Sequence, residues 1–160
     1  MTLLKIIKNL VAFSLIMAPL GAIANPANEE STFLECNVSG VDRLPWGQEV
    51  LRPALVSVEV YRTPIYQSIT VDGPDSYVAS ATTRQSPNTI SISNHSTDTQ
   101  YHLRQTRKGL NSVKTSETTI LINRVTGLIT VNYLAHFHDG KQSTTNYSGS
   151  CKKINNQKKF

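Results

Sequence analysis

His136-x-His138 is the pair whose type and spacing come nearest to chemistry. Residues two apart on a strand point the same way, so both imidazoles could meet one Zn²⁺ or Cu²⁺. A competent site needs further ligands, and His95, His102 and Asp139 are the candidates. Nothing in their spacing brings them close. The expectation is therefore two histidines facing solvent and no metal, with a metal-dependent enzyme using His136 and His138 as the remote alternative.

Nucleophilic catalysis finds less support. A hydrolase serine needs a strained turn and an oxyanion hole, and no Gly-x-Ser-x-Gly occurs. Tyr147-Ser148-Gly149-Ser150 reads as the end of a strand. The 11 carboxylates are scattered, which argues against a paired acid–base site of the glycosidase kind. Glycine loops that cradle phosphate are missing. These absences point to a protein that is not an enzyme and needs no cofactor.

The two cysteines, Cys36 and Cys151, have 114 residues between them. A redox pair is normally close in sequence, whereas an even, distant pair in an oxidising compartment reads as a structural disulfide. Bonding Cys36 to Cys151 would hold the first and last strands side by side.

Binding residues are sought among the large and basic side chains of loops. Trp46, the only tryptophan, lies in Leu44-Pro45-Trp46-Gly47. It either plugs one end of a barrel or stands exposed as an anchor for a partner, where Arg43, Arg52 and Tyr61 would assist it. Arg104, Arg107 and Lys108 make a smaller basic cluster leading into a second loop, with a solvated strand end as the plainer account.

The elements that must position these residues belong to an exported chain. Lys5 and Lys8, the apolar run from Leu10 to Leu20, and Ala22-Ile23-Ala24 form a bacterial-looking secretory leader with cleavage after Ala24. No second apolar run follows that could span a membrane. Without Lys5 and Lys8, the 16 basic residues become 14 against 11 acidic. Lys152, Lys153, Lys158 and Lys159 crowd the last nine positions, so the body is nearly neutral and a nucleic-acid partner is not expected. Residues 25–151 are read as one β domain and 152–160 as a basic, disordered tail.

Within the domain, 15 Ser and 16 Thr favour strands and turns, and period-two alternation dominates. Ile129, Val131, Tyr133, Ala135 and Phe137 share one face of a strand from Leu128 to His138. Asp139-Gly140 predicts a type I′ hairpin into a strand over 142–151. Thr32, Leu34, Cys36 and Val38 alternate, as do Val56, Val58 and Val60. Further strands are expected near Thr118–Arg124, Tyr66–Val71, Tyr77–Ala81, Ile90–Ile92 and Tyr101–Leu103, and long loops at Val41–Pro53 and Arg107–Ser116. The sum is an all-β fold, a single antiparallel barrel or sandwich of about eight strands closed by one disulfide.

Ile122-Asn123-Arg124-x-Thr126-Gly127, followed by a hairpin and Ser148-Gly149-Ser150-Cys151, resembles a pattern in small exported bacterial β proteins of uncharacterised function. Those have an early Cys and a late Gly-x-Cys around a β domain. The resemblance implies a fold and carries no active site. Small periplasmic lysozyme inhibitors of the eight-stranded barrel type are similar in size, export and disulfide, although their Ser-Gly-Ala-rich inhibitory loop is not present here. The expected function is that of a periplasmic or secreted, non-enzymatic binding protein for an unknown protein or small-molecule partner, a protein-binding or inhibitor-type module. The alternative is a lipocalin-like carrier of a small apolar ligand. Trp46, Arg43, Arg52 and Arg107 are its expected binding residues.

Overall fold

Alternation along the chain builds nine antiparallel strands in the computed structural model, which describes residues 30–154. They are β1 (Glu30–Leu44), β2 (Gly47–Arg62), β3 (Gln67–Asp72), β4 (Ala79–Thr82), β5 (Thr89–Asn94), β6 (Gln100–Lys108), β7 (Val113–Asn123), β8 (Leu128–Phe137) and β9 (Gln142–Ile154). A 3₁₀ turn at Asp75–Tyr77 stands where the sequence suggested the start of a strand. The strands form one sheet in the order β4-β3-β2-β1-β9-β8-β7-β6-β5. The sheet curls until β4 lies against β6 and β7, giving a nearly closed barrel. The expected secretory leader lies outside the described residues. Among those described, no helix is long and apolar enough to cross a membrane.

The expected disulfide is present. Cys36 and Cys151 are directly opposite in the β1–β9 ladder, with Cα atoms 3.9 Å apart. The ladder continues past Cys151 to Ile154, so the strand outruns the expected domain end at 151. Lys152 pairs with Glu35, its ammonium 2.6 Å from the carboxylate, which makes it part of the sheet and not of a tail. Positions 155–160 lie outside the described residues.

The Ile122–Gly127 pattern earns its spacing from one turn. The Asn123 side-chain oxygen accepts hydrogen bonds from the amides of Val125 and Thr126, each 2.9 Å, in an Asx turn. Gly127 then takes φ +71°, and a Cβ there would sit 2.5 Å from the Cys151 carbonyl oxygen. The Gly127 carbonyl accepts the Cys151 amide at 2.7 Å, fastening the turn beside the disulfide.

Three local expectations change. The β8–β9 connection is a three-residue loop closed by the Phe137 amide on the Lys141 carbonyl, and only Gly140 has positive φ (+84°). A two-residue type I′ turn would need two such residues, so the geometry is that of a turn followed by a left-handed glycine. Val41–Pro53 is no loop: Leu44 pairs with Gly47 around a two-residue turn, and the hairpin is continuous. Pro53 is accommodated because the register slips between Val38 and Gly40, leaving Arg52 and Pro53 as a bulge where a missing N–H breaks no ladder bond. Arg107–Ser116 is likewise a hairpin, with only four residues between β6 and β7.

Inside, the cross-strand rows follow the register. One row runs Leu103, Ile120, Val131, Tyr147, Gly40, Leu51, and its side-chain-bearing members are all buried. With Tyr101, Ile69, Ile122, Ile129, Val56 and Val58 it fills the apolar interior.

Candidate functional site

Two residues further along each strand, the same inner face turns polar. The next row is Gln105, Thr118, Tyr133, Thr145, Asp42, Glu49, and the one beyond it Arg107, Ser116, Ala135, Ser143. These rows lead to the end of the sheet that carries the β1–β2, β6–β7 and β8–β9 turns. The interior thus grades from apolar to wet at one end, while the disulfide closes the other half of the β1–β9 seam.

Two open cavities lie at this end and share Tyr133 in their walls. One, of about 410 Å³, is lined by Arg107, Lys108, Leu110, Val113, Ser116, Ser86 and Asn88. The other, of about 390 Å³, has Asp42, Asp75 and Thr145 in its wall, and the Thr145 hydroxyl donates to Asp42 at 3.1 Å. Positive and negative groups are therefore sorted to opposite sides of one tyrosine.

Trp46 is 80% exposed at the tip of the β1–β2 hairpin. The barrel-plug alternative fails because a two-residue turn leaves no chain to fold the indole back inside. Arg43 stands beside it, its Nε donating to the Gln48 side-chain oxygen at 3.3 Å. Val50, 73% exposed, follows on β2. Arg52 is exposed at the bulge, where its carbonyl accepts the Tyr77 hydroxyl at 2.6 Å. Tyr61 lies at the far end of β2, its ring 5.7 Å from Tyr66, and cannot assist Trp46 as expected. The basic cluster also splits. Arg104 points outward to Glu117, 2.7 Å away, whereas Arg107 takes the inner face.

His136 is half-buried at the end of β8 and His138 is exposed beyond it. His95 and His102 sit together at the opposite end of the sheet, rings 5.4 Å apart. Burial, and then the neighbouring His95, hold the His102 imidazole below its ordinary range. Among the described residues no three His, Cys, Asp or Glu side chains gather as a metal site. Asp139 is engaged instead with Lys141, 3.0 Å away, which holds its carboxyl below the usual range.

Sequence reading missed the polar inner rows. Each strand shows only one or two polar residues at inward positions, and these become a site only when register aligns them. The available signal was Gln105 and Arg107 continuing the period of Tyr101 and Leu103.

What the structure defines is an all-β protein, a single antiparallel sheet tied by one disulfide, with a polar, turn-bearing end. No family model matches the chain, and no curated protein matches it. Among solved structures it is similar to an isomerase-inactive variant of GphF DH1, with TM-score 0.22 and 9% identity over 89% of this chain and 79% of that one. A second similar structure is GphF Dehydratase 1, with TM-score 0.18 and 8% identity over 76% and 75%. Likeness at this level transfers neither fold nor chemistry.

Proposed function

We propose that this chain is an exported binding protein that acts without catalysis, with the tip of the β1–β2 hairpin as its contact surface for a protein partner. One observation carries the reading: the sole tryptophan is 80% exposed on a two-residue turn, and Arg43 and Val50 are exposed on the hairpin that carries it. An exposed indole keeps a large apolar surface in water, and Trp and Arg are among the residues most enriched where partners bind. A continuous ladder holds the tip in place, so little conformational freedom remains to be lost on association. The disulfide supports an oxidising compartment, periplasmic or extracellular.

The test is photo-crosslinking in the producing cell. Trp46→p-benzoylphenylalanine should give a discrete adduct, and the same replacement of Val125 at the opposite turn should not. With the partner so identified, Trp46→Ala should weaken binding at least tenfold, about 1.4 kcal/mol or more. Equal adducts at both positions, or binding indifferent to the indole, would overturn the proposal.

A further inference from the structure

Arg107 is half-buried on the inner face, and its Nε is enclosed without a hydrogen-bond partner. Among the described residues no carboxylate lies within ion-pair distance of it, whereas Arg104, Arg124 and Lys152 each have one. A guanidinium whose Nε is enclosed and that has no counter-charge carries a desolvation cost, and an arriving anion lowers it. Two residues back along the same face, Gln105 is only 2% exposed, and neither atom of its amide has a partner. Orphaned polar atoms of this kind are rare in folded proteins; Arg107 borders the 410 Å³ cavity, whereas Gln105 is not part of its wall.

The cavity in front of Arg107 supplies the rest. Its wall contains no Asp or Glu, and Lys108 adds a second positive charge. Ser116, Asn88 and the Tyr133 hydroxyl offer neutral hydrogen bonds, and Leu110 with Val113 gives an apolar side. The acidic groups Asp42 and Asp75 belong to the other cavity, beyond Tyr133, so an anion has only one side to enter. At about 410 Å³ the space exceeds a bare ion and falls in the range of small-ligand pockets. A planar guanidinium matches a carboxylate through two parallel N–H···O bonds.

We infer that Arg107 anchors a small-ligand site for a hydroxylated carboxylate of the sugar-acid class, its carboxylate on the guanidinium and its hydroxyls on Ser116, Asn88 and Tyr133. The inference goes beyond the Trp46 contact, since the β1–β2 tip contributes nothing to this wall.

Amide-resolved NMR titration of the disulfide-bonded chain tests it, with sodium D-glucuronate as probe and D-glucose as its neutral counterpart. Glucuronate should give saturable shifts at residues 105–116, with a dissociation constant of about 0.1–1 mM, and glucose none. Arg107→Gln should weaken this at least tenfold. Arg104→Gln, which removes the same charge from the outer face, should leave it unchanged. A blocked peptide carrying one Glu distinguishes the source of the carboxylate. Binding of glucuronate alone assigns it to a free acid, and binding of the peptide, with or without glucuronate, moves it to a partner's side chain and overturns the sugar-acid assignment. Should Arg107→Gln fail to fold, the glucuronate–glucose contrast and Ser116→Ala, expected to weaken binding about threefold, decide the matter. No saturable shift with glucuronate, equal response to glucose, or binding indifferent to Arg107→Gln overturns the site.

Discussion

The phenol of Tyr147 shows how a single hydroxyl joins three parts of the sheet. It donates to the Tyr77 carbonyl at 2.6 Å, and the Tyr77 hydroxyl in turn donates to the Arg52 carbonyl at 2.6 Å. The two rings meet edge to face, centroids 5.0 Å apart. This relay ties β9 to the 3₁₀ turn and the turn to the β2 bulge. Burial, and then the neighbouring Tyr77, push the Tyr147 phenol well above its ordinary range. A group whose folded pKa is raised contributes stability that is complete below the unfolded value, near 10, and lost as pH rises beyond it. Tyr147→Phe removes both the proton and the bond, leaving the Tyr77 carbonyl without its donor. Stability at pH 7 should fall by about 1–2 kcal/mol. Urea midpoints at pH 7 and pH 10.5 should then lie closer together in the variant than in the parent. Equal spacing would remove Tyr147 as the source of the alkaline loss.

At the scale of elements, β2 is the strand whose first half escaped the sequence reading and whose edge matters most. The alternation of Val56, Val58 and Val60 was legible, as were the stripes of β1 and β8, because each strand buries one face. The hairpin over Val41–Pro53 was not, since Pro45, Gly47 and Pro53 all signal loops when register is unknown. The polar inner rows were hidden for the same reason: pairing between distant strands is set by the whole sheet. From Gly47 to Val56, β2 has β1 on one side and, among the described residues, no strand on the other, because β3 begins pairing only at Ser57. Val50 and Leu55 are exposed along it. An open edge of this kind invites another chain, and a proline there blocks a continuous ladder. Pro53→Thr should therefore raise concentration-dependent self-association while leaving the monomer's circular dichroism unchanged. Sedimentation velocity across a hundredfold range of concentration checks this. A strictly monomeric variant would show that the bulge alone guards the edge.

For the whole molecule, the closure between β1 and β9 decides what the disulfide contributes. Eleven register pairs, from Phe33–Ile154 to Arg43–Thr144, already join the first and last strands. Cys36 is wholly buried among Leu34, Val38 and Val56, so the bridge is part of the core. Its main effect falls on the unfolded chain, where it closes a loop spanning a sequence separation of 115. In the chain-entropy view such a loop is worth about 5 kcal/mol, and measured values often fall to about 2–4. Replacing both cysteines by Ala, which adds no buried hydroxyl, should lower the unfolding free energy by that amount and keep the strand content. The loss should appear as a lower denaturant midpoint in a single transition, because the seam belongs to the same sheet as the core. Hydrogen exchange sharpens the test. Amides throughout β1, β8 and β9 should lose protection together, since no strand in the order can part from the seam without opening its neighbours. A variant as stable as the oxidised parent, or protection lost only around positions 36 and 151, would show that the bridge decorates a closure the ladder already secures.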